Sequence, residues 1–479
     1  MKIHVVGIGG IAMGNLAKML KDQGHDVTGS DQNLYPPMSE KLKEWGFPVS
    51  SFSPDNIIDQ HQNPKADLYI IGNVLSRGNI EVETILNHRL PLMSMPQALY
   101  EFFLKHHYVI VVAGTHGKTT TTFLIHYILK KAGLSAGLFA GGIRADHHPG
   151  FSIEKGNYFV IEGDEYDTSF FDKKPKFLHY RPYYLVLTSI EYDHADIYEN
   201  LKEYKKAFLQ LLRWIPQKGK IIANYDYEVI REILKNQSNV VYYSEKERLP
   251  EITQLQYQRN ELILPIGRVH PKIFGKQNYL NILASYLLAK ELGVDAQIIR
   301  QAIEEFPGVM RRQQLRKKIS LRDQEIEILF YEDFAHHPTA VKITIESFRE
   351  TITNAFIIAC YEPRSASSHR NVFQKEYPES FLLADVVYIT EVYDPRKVEP
   401  EQRLNVLEII DEIRKKNINA HYCAAPNELL EKLKNDFSDY VLFAKQKKLN
   451  KIILLFMSNG EFGNIYPEVE NWLEDLEKS

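Results

Sequence analysis

The sequence predicts an α/β protein built from three domains with parallel sheets, and three observations predict it. Its 479 residues exceed what one hydrophobic core accommodates, and a chain of this length corresponds to about three domains at roughly 150 residues each. Short β-branched runs alternate with amphipathic helical stretches along the whole chain, the rhythm of βαβ units. Two glycine-rich strand-to-helix turns, at 7–14 and 114–121, stand where such units bind ligands.

Each element follows from its own residues. Ile3–Ile8 is strand-like, the apolar periodicity from about Ala12 to Gln23 predicts a helix, and His25–Gly29 predicts the next strand. Asp67–Gly72 adds another strand, and the polar stretch ending in Lys105–His107 closes the first domain, residues 1–106. The second domain, 107–308, takes the strands Tyr108–Ala113, Tyr158–Ile161, Tyr184–Ser189 and Lys220–Ala223, with helices between them, and ends at Phe306–Gly308. Past the basic stretch Arg311–Lys318, strand-like runs at Ile326–Tyr331, Ala355–Ala359, Val386–Ile389 and Lys451–Met457 make a third α/β domain, 309–479. No internal repeat or low-complexity tract interrupts the pattern.

Hydrophobic residues at 44% and charged residues at 25% suit a globular chain with substantial cores. With 58 basic against 62 acidic residues and a net charge of −4, no overall positive field draws the protein to nucleic acid or an anionic membrane. Small anionic ligands therefore require local sites. Cys360 and Cys423 lie far apart, outside any Cys-x-x-Cys spacing, which argues against a disulfide framework or a structural zinc and suits a reducing cytoplasm. No secretion leader or long apolar segment is present, so neither export nor membrane association is expected.

In the first turn, Gly7, Gly9 and Gly10 permit close approach of backbone to a diphosphate, with the N-terminus of the next helix adding N–H groups and a favourable dipole. Asp31 lies about twenty residues on, where a dinucleotide-binding acid contacts ribose. This turn alone suits an oxidoreductase as readily as a ligase.

The second turn, Gly114-Thr115-His116-Gly117-Lys118-Thr119-Thr120-Thr121, is sharper. Its backbone N–H groups suit a phosphate cradle, Lys118 suits the β- and γ-phosphate charge, and the Thr119 hydroxyl suits magnesium. It departs from the full phosphate-loop pattern, whose first glycine would fall on Val112. ATP is favoured over a nicotinamide cofactor.

Carboxylates follow at two later strand ends. Glu162-Gly-Asp164-Glu165-Tyr-Asp167 offers hard oxygen ligands for magnesium, and Asp193-His194-Ala-Asp196 occupies a comparable position. The pairs His147-His148 and His336-His337 lack the spacing of a zinc site, and none is expected.

Together, Gly114–Thr121, Glu162–Glu165, Asp193–Asp196 and Asp333-Phe-Ala-His-His-Pro338 resemble the Mur ligases, over nearly the entire chain. The resemblance implies Rossmann-like N- and C-terminal domains around a central P-loop ATPase-like domain. It assigns the UDP-sugar to Gly7, Gly9, Gly10, Ser30 and Asp31, and ATP to Gly114–Thr120, Asn278, Asn281, Arg312 and Asp333. Magnesium falls to Thr119, Glu162 and His194, with Lys118, Glu162 and His194 as the catalytic set. The incoming peptide falls to His336, Arg364, Ser458 and Asn459. Gln277 stands where the family often has histidine. The carbamoylated lysine of some members would fall near Leu209, so no modified lysine is expected.

Four segments, Gly29–Ser39, Gly72–Asn79, Phe170–Tyr180 and Met457–Gly463, resemble the branch that attaches a preassembled murein peptide during recycling rather than the branch that adds L-alanine. In the alanine branch two arginines clamp a small carboxylate; here Arg364 matches one, Ser367 takes the place of the other, and Phe334 replaces a tyrosine. The reaction so implied joins UDP-N-acetylmuramate to L-Ala-γ-D-Glu-meso-diaminopimelate through an acyl phosphate, with ATP and magnesium. L-Alanine addition is the alternative. A dehydrogenase and a nucleotide-controlled binding protein stand as rivals from other classes.

Overall fold

A computed structural model describes residues 1–35, 38–192, 197–321 and 325–478. They fall into two units: Met1–Tyr192 with Asn200–Gln254 and Ile282–Ala302, and residues 197–199 with Leu255–Asn281 and the chain from Ile303 onward.

The first unit opens with five parallel strands, β1 (Lys2–Val6), β2 (Asp26–Ser30), β3 (Val49–Ser50), β4 (Leu68–Ile71) and β5 (Leu92–Ser94), in the order β3-β2-β1-β4-β5. Both β1 and β4 are buried on two faces, which is why they read as apolar runs rather than alternating ones. The helix Ile11–Asp22 packs Leu16, Ala17, Met19 and Leu20 inward. The strand order reverses between β1 and β4, so a crevice opens outside their carboxyl ends at Gly7 and Gly72.

Further on come β6 (Tyr108–Ala113), β7 (Ala136–Phe139), β8 (Phe151–Ser152), β9 (Tyr158–Gly163), a hairpin of β10 (Asp167–Ser169) and β11 (Asp172–Pro175), then β12 (Tyr184–Leu187), β13 (Lys220–Asn224), β14 (Val240–Ser244) and β15 (Ile252–Gln254). Apart from the hairpin they form one sheet, β15-β14-β13-β12-β6-β9-β7-β8, antiparallel only at β7–β8. The helix Lys118–Lys131 leaves the end of β6 and buries Phe123, Leu124, Ile128 and Leu129, each contributing about 1.5–3 kcal/mol.

In the second unit, β16 (Gln256–Gln258), β17 (Glu261–Leu264) and β18 (Gly267–Val269) form a small antiparallel sheet. A six-stranded sheet follows: β19 (Gln314–Leu321), β20 (Ile326–Asp333), β21 (Ala355–Tyr361), β22 (Val386–Thr390), β23 (Asn419–Cys423) and β24 (Lys451–Met457), ordered β19-β20-β24-β21-β22-β23. Its core joins Phe330, Phe356, Ile358, Leu454 and Phe456 to Leu429, Leu433 and Phe437 of the helix Pro426–Gln446.

One difference from the sequence reading lies here. Most of the basic stretch Arg311–Lys318 belongs to strand β19, antiparallel to β20. Its charges did not read as strand because their partners are remote: Arg316 pairs with Glu332 and Glu470, at 2.8 and 2.7 Å, and Lys317 pairs with Glu474.

Candidate active site

The first turn is a sharp reversal at the end of β1. Gly7 has φ +83°, a left-handed value that a side chain tolerates poorly. The Ser30 carbonyl accepts the N–H groups of Gly7 and Ile8 at 2.8 and 3.1 Å. Asp31 accepts the Gly9 N–H at 2.8 Å, and a Cβ at Gly9 would overlap that carboxylate. Gly10 precedes the helix without a capping side chain, so no side chain caps its first N–H groups.

Ser30, assigned to the UDP-sugar, is fully buried, and its hydroxyl donates to Glu81. Glu81, also fully buried, takes hydrogen bonds from Asn56 and the Ser53 N–H as well.

The second turn sits at the carboxyl end of β6 and is strapped to the end of β12. His116 N–H donates to Ser189 Oγ at 2.8 Å, and Thr188 Oγ1 donates to the His116 carbonyl at 2.6 Å. Thr115 N–H donates to the Ser189 carbonyl at 3.0 Å, and the Thr115 hydroxyl bonds both backbone groups of Glu191. The His116 ring lies 3.2 Å from the Glu191 carboxylate. Gly114 and Gly117 take φ +134° and +82°. The first backbone bond into the helix runs from Thr121 to the Gly117 carbonyl, so the N–H groups of Lys118, Thr119 and Thr120 face out of the helix end.

Two side-chain pairs converge behind this turn. Lys118 Nζ donates to Glu165 at 3.0 Å and to the Gly114 carbonyl at 2.7 Å. Glu165, 1% exposed, also accepts from Tyr204 at 3.2 Å. Burial pulls the Lys118 pKa down, but Glu165, Glu162 and Asp164 more than offset it and hold the ammonium charged. The second pair is Thr119 Oγ1 donating to Glu162 at 2.9 Å, with the other Glu162 oxygen accepting the Gly141 N–H at 2.8 Å. Two of the three residues assigned to magnesium thus meet; His194 lies outside the described residues.

Lys118 is the first residue of the helix, with 16% of its side chain exposed. The sequence reading grouped Asp164 and Glu165 as metal acids. Asp164 instead pairs with Lys176 at 2.6 Å, and that lysine, with Asp164's other hydrogen bonds, outweighs burial and lowers its pKa. No motif marked Lys176, which meets Asp164 across the β10–β11 hairpin, or Tyr204, which meets Glu165 across the fold.

The second unit gathers the remaining residues that the resemblance assigns to ATP. Asn278 donates to Gln313 at 2.9 Å, and the Gln313 N–H donates to Asp333 at 2.8 Å. Gln277 donates to Asn281 at 3.2 Å, so the glutamine that departs from the family pattern orders its neighbour. Burial raises the pKa of Asp333, against the opposing pull of Arg312. The Arg312 guanidinium lies over the Phe334 ring, 4.5 Å from its centre.

Of the peptide candidates, His336 Nδ1 bonds the Phe334 carbonyl at 3.0 Å, and its own carbonyl accepts from Tyr361 and Tyr377 at 2.8 Å each. Ser458 is fully buried, donating to Glu362 at 2.7 Å and accepting from the Gly460 N–H at 3.0 Å. Asn459 keeps a buried Oδ1 without a protein hydrogen bond. Arg364 stands 3.8 Å from Glu362 and over the Tyr393 ring.

Residues 2–107 match the Mur ligase family catalytic domain, and residues 112–289 match the Mur ligase middle domain. The chain is similar to the UDP-N-acetylmuramate–L-alanyl-γ-D-glutamyl-meso-2,6-diaminoheptandioate ligase of Escherichia coli, 34% identical with 98% of this chain and 97% of that one covered. Among solved structures, a murein peptide ligase from Psychrobacter arcticus aligns with TM-score 0.66 and 28% identity, covering 99% and 98% of the two chains. A UDP-N-acetylmuramate–alanine ligase from Thermotoga maritima aligns with TM-score 0.74 and 25% identity, covering 99% and 100%.

Proposed function

The chain belongs to the Mur ligase family, an ATP-dependent amide-bond-forming family, and from that premise we propose that it joins UDP-N-acetylmuramate to L-alanyl-γ-D-glutamyl-meso-diaminopimelate. The observation that carries the reading is the end-to-end similarity to a ligase of that specificity, set beside the Lys118–Glu165 and Thr119–Glu162 pairs.

A carboxylate is a poor acyl donor because oxide is a poor leaving group. Passing the γ-phosphoryl group of ATP to the sugar carboxylate makes an acyl phosphate; the peptide amine then forms the C–N bond as phosphate departs with the C–O bond. Lys118, held charged, stabilises the phosphoryl oxygens, and the outward N–H groups of Lys118, Thr119 and Thr120 cradle the phosphates. Thr119 and Glu162 bring two hard oxygens together, which suits magnesium; with His194 they would hold it, and it would supply charge neutralisation at the phosphates.

We assign the UDP-sugar to 1–106, where Gly7, Gly9, Gly10 and Asp31 form the turn, ATP to 107–308, and the incoming peptide to 309–479, where Arg364 receives a peptide carboxylate. The work is cytoplasmic: ATP is consumed, and Cys360 and Cys423 are free and buried. Among the described residues no helix is long and apolar enough to cross a membrane.

The resemblance to the Thermotoga maritima alanine ligase favours a second reading, L-alanine addition. Parallel assays with ATP, magnesium and UDP-N-acetylmuramate, comparing tripeptide, tetrapeptide, L-alanine and L-serine by product mass, separate the two. A higher kcat/KM for L-alanine than for the tripeptide overturns the proposal.

A further inference from the structure

Arg364 is held in an unusual way. Its guanidinium carbon lies 4.0 Å from the centre of the Tyr393 ring, and its stem lies so close to Gly460 that a Cβ there would overlap it. The Glu362 carboxylate stands 3.8 Å away, beyond hydrogen-bond reach, and is already engaged by Ser458 at 2.7 Å. Among the described residues no protein acceptor takes a hydrogen bond from the five Arg364 donors. A guanidinium fixed by its face, ion-paired at longer range but with its N–H donors free of protein hydrogen bonds, presents a planar fork to a carboxylate.

The ring that holds it is itself placed by the backbone. Tyr393 follows β22, and its N–H donates to the Pro363 carbonyl at 2.9 Å, tying its loop to the residue before Arg364. The next residue, Asp394, adopts φ +46°, an unfavourable conformation that turns the chain immediately after the ring. Tyr393 is 42% exposed, so the ring is kept at the surface beside the arginine instead of being drawn into the core.

We propose that Tyr393 is a positioning residue for peptide recognition: its ring face holds the Arg364 guanidinium flat, so that the fork is preorganised for one carboxylate of the acceptor peptide. This rests on the reading that Arg364 receives a peptide carboxylate. The role assigned to the ring is that of its π face. An arginine left free to sample rotamers would have to be ordered at each binding event, and the affinity would fall by that cost.

The test uses the full-length enzyme and four variants: Tyr393→Leu, Tyr393→Phe, Arg364→Gln and Gly460→Ala. Steady-state kinetics are run with the tripeptide and with amidated tripeptides that each lack one carboxylate. Tyr393→Leu is expected to raise the tripeptide KM about 2- to 30-fold, the range of a surface to partly desolvated cation–π contact. The kcat at saturating peptide and the KM values for ATP and UDP-N-acetylmuramate stay unchanged. Tyr393→Phe returns the peptide KM to within about twofold of the parent, because it keeps the ring face. Gly460→Ala displaces the guanidinium and raises the peptide KM as well. The amidated peptide that no longer responds to Arg364→Gln no longer responds to Tyr393→Leu either.

If Arg364→Gln raises the peptide KM while Tyr393→Leu does not, the positioning role is wrong and the Arg364 assignment survives. If Arg364→Gln changes no peptide KM, the assignment beneath the proposal fails, and the proposal with it. A Tyr393→Leu variant that loses kcat and ATP affinity together, or that Tyr393→Phe fails to rescue, assigns the ring a structural role and overturns the inference.

Discussion

Replacing Lys118 with alanine tests the phosphate site and the fold at once. The substitution leaves Glu165, 1% exposed, with Tyr204 at 3.2 Å as its remaining side-chain donor among the described bonds. Removing one partner of a buried ion pair costs about 3–5 kcal/mol. The 16% exposure of Lys118 and the surviving tyrosine place this case toward the lower end, about 3 kcal/mol. The companion variant Lys118→Met/Glu165→Gln removes both charges and keeps an acceptor for Tyr204, so it should recover most of that loss while remaining inactive. The deficit should be constant through neutral pH. A lysine whose folded pKa is raised contributes stability fully below its unfolded value near 10.5, and loses it only as pH rises through the raised one. Urea unfolding followed by far-ultraviolet circular dichroism, read at the first cooperative transition, gives the stability, and product mass gives the activity. A Lys118→Ala protein as stable as the parent, or a double variant no more stable than the single, would refute the argument from the buried pair. Normal ligation by either variant would refute the phosphate role.

Glu162→Ala should weaken magnesium-supported turnover, shifting the magnesium titration to at least about tenfold higher concentration, because it removes one of two convergent oxygens; an unchanged titration would remove Glu162 from the metal set. Gly114→Ala should raise the ATP KM at least about tenfold, since φ is +134° and a Cβ would overlap Thr188 and the Ser189 backbone; normal ATP kinetics would contradict the strapped loop. His126 is fully buried, and burial, then His148, lowers its pKa to about 3. Its unfolded form therefore takes up a proton first, and stability present above pH 6.5 is lost as pH falls toward 3, at up to about 1.4 kcal/mol per pH unit. Urea midpoints between pH 7 and pH 4 should fall less steeply in His126→Phe; parallel slopes would defeat this.

The fold and the phosphate turns were legible because their signals are local. A β-branched run, a glycine turn and an apolar helical stripe each lie within about twenty residues, and β1, β6 and the helix Lys118–Lys131 lie close to where those signals put them. The acids were legible as acids but not by partner. Glu162 meets Thr119, while Glu165 meets Lys118 and Asp164 meets Lys176, a distribution set by which side of β9 and its following loop each side chain leaves. The burial of Ser30 and Ser458, and the bonds of their hydroxyls to Glu81 and Glu362, left no mark in the motifs beside them. Residues such as Tyr393 carry no motif, since a ring beside an arginine leaves no mark in sequence when the loops are brought together only by the sheet.

Strand β19 has a consequence beyond its ion pairs. It forms one margin of the six-stranded sheet, where an unpaired row of peptide groups invites another chain to add a strand. Arg316, Lys317 and Lys318 run consecutively along it, tethered to acids on β20 and on the terminal helix Tyr466–Lys478. A strand arriving from a second molecule would have to desolvate these cations and compete with their carboxylates. The basic stretch thus places a cost on self-association at this margin in the folded chain, where the cations and their acids stand together.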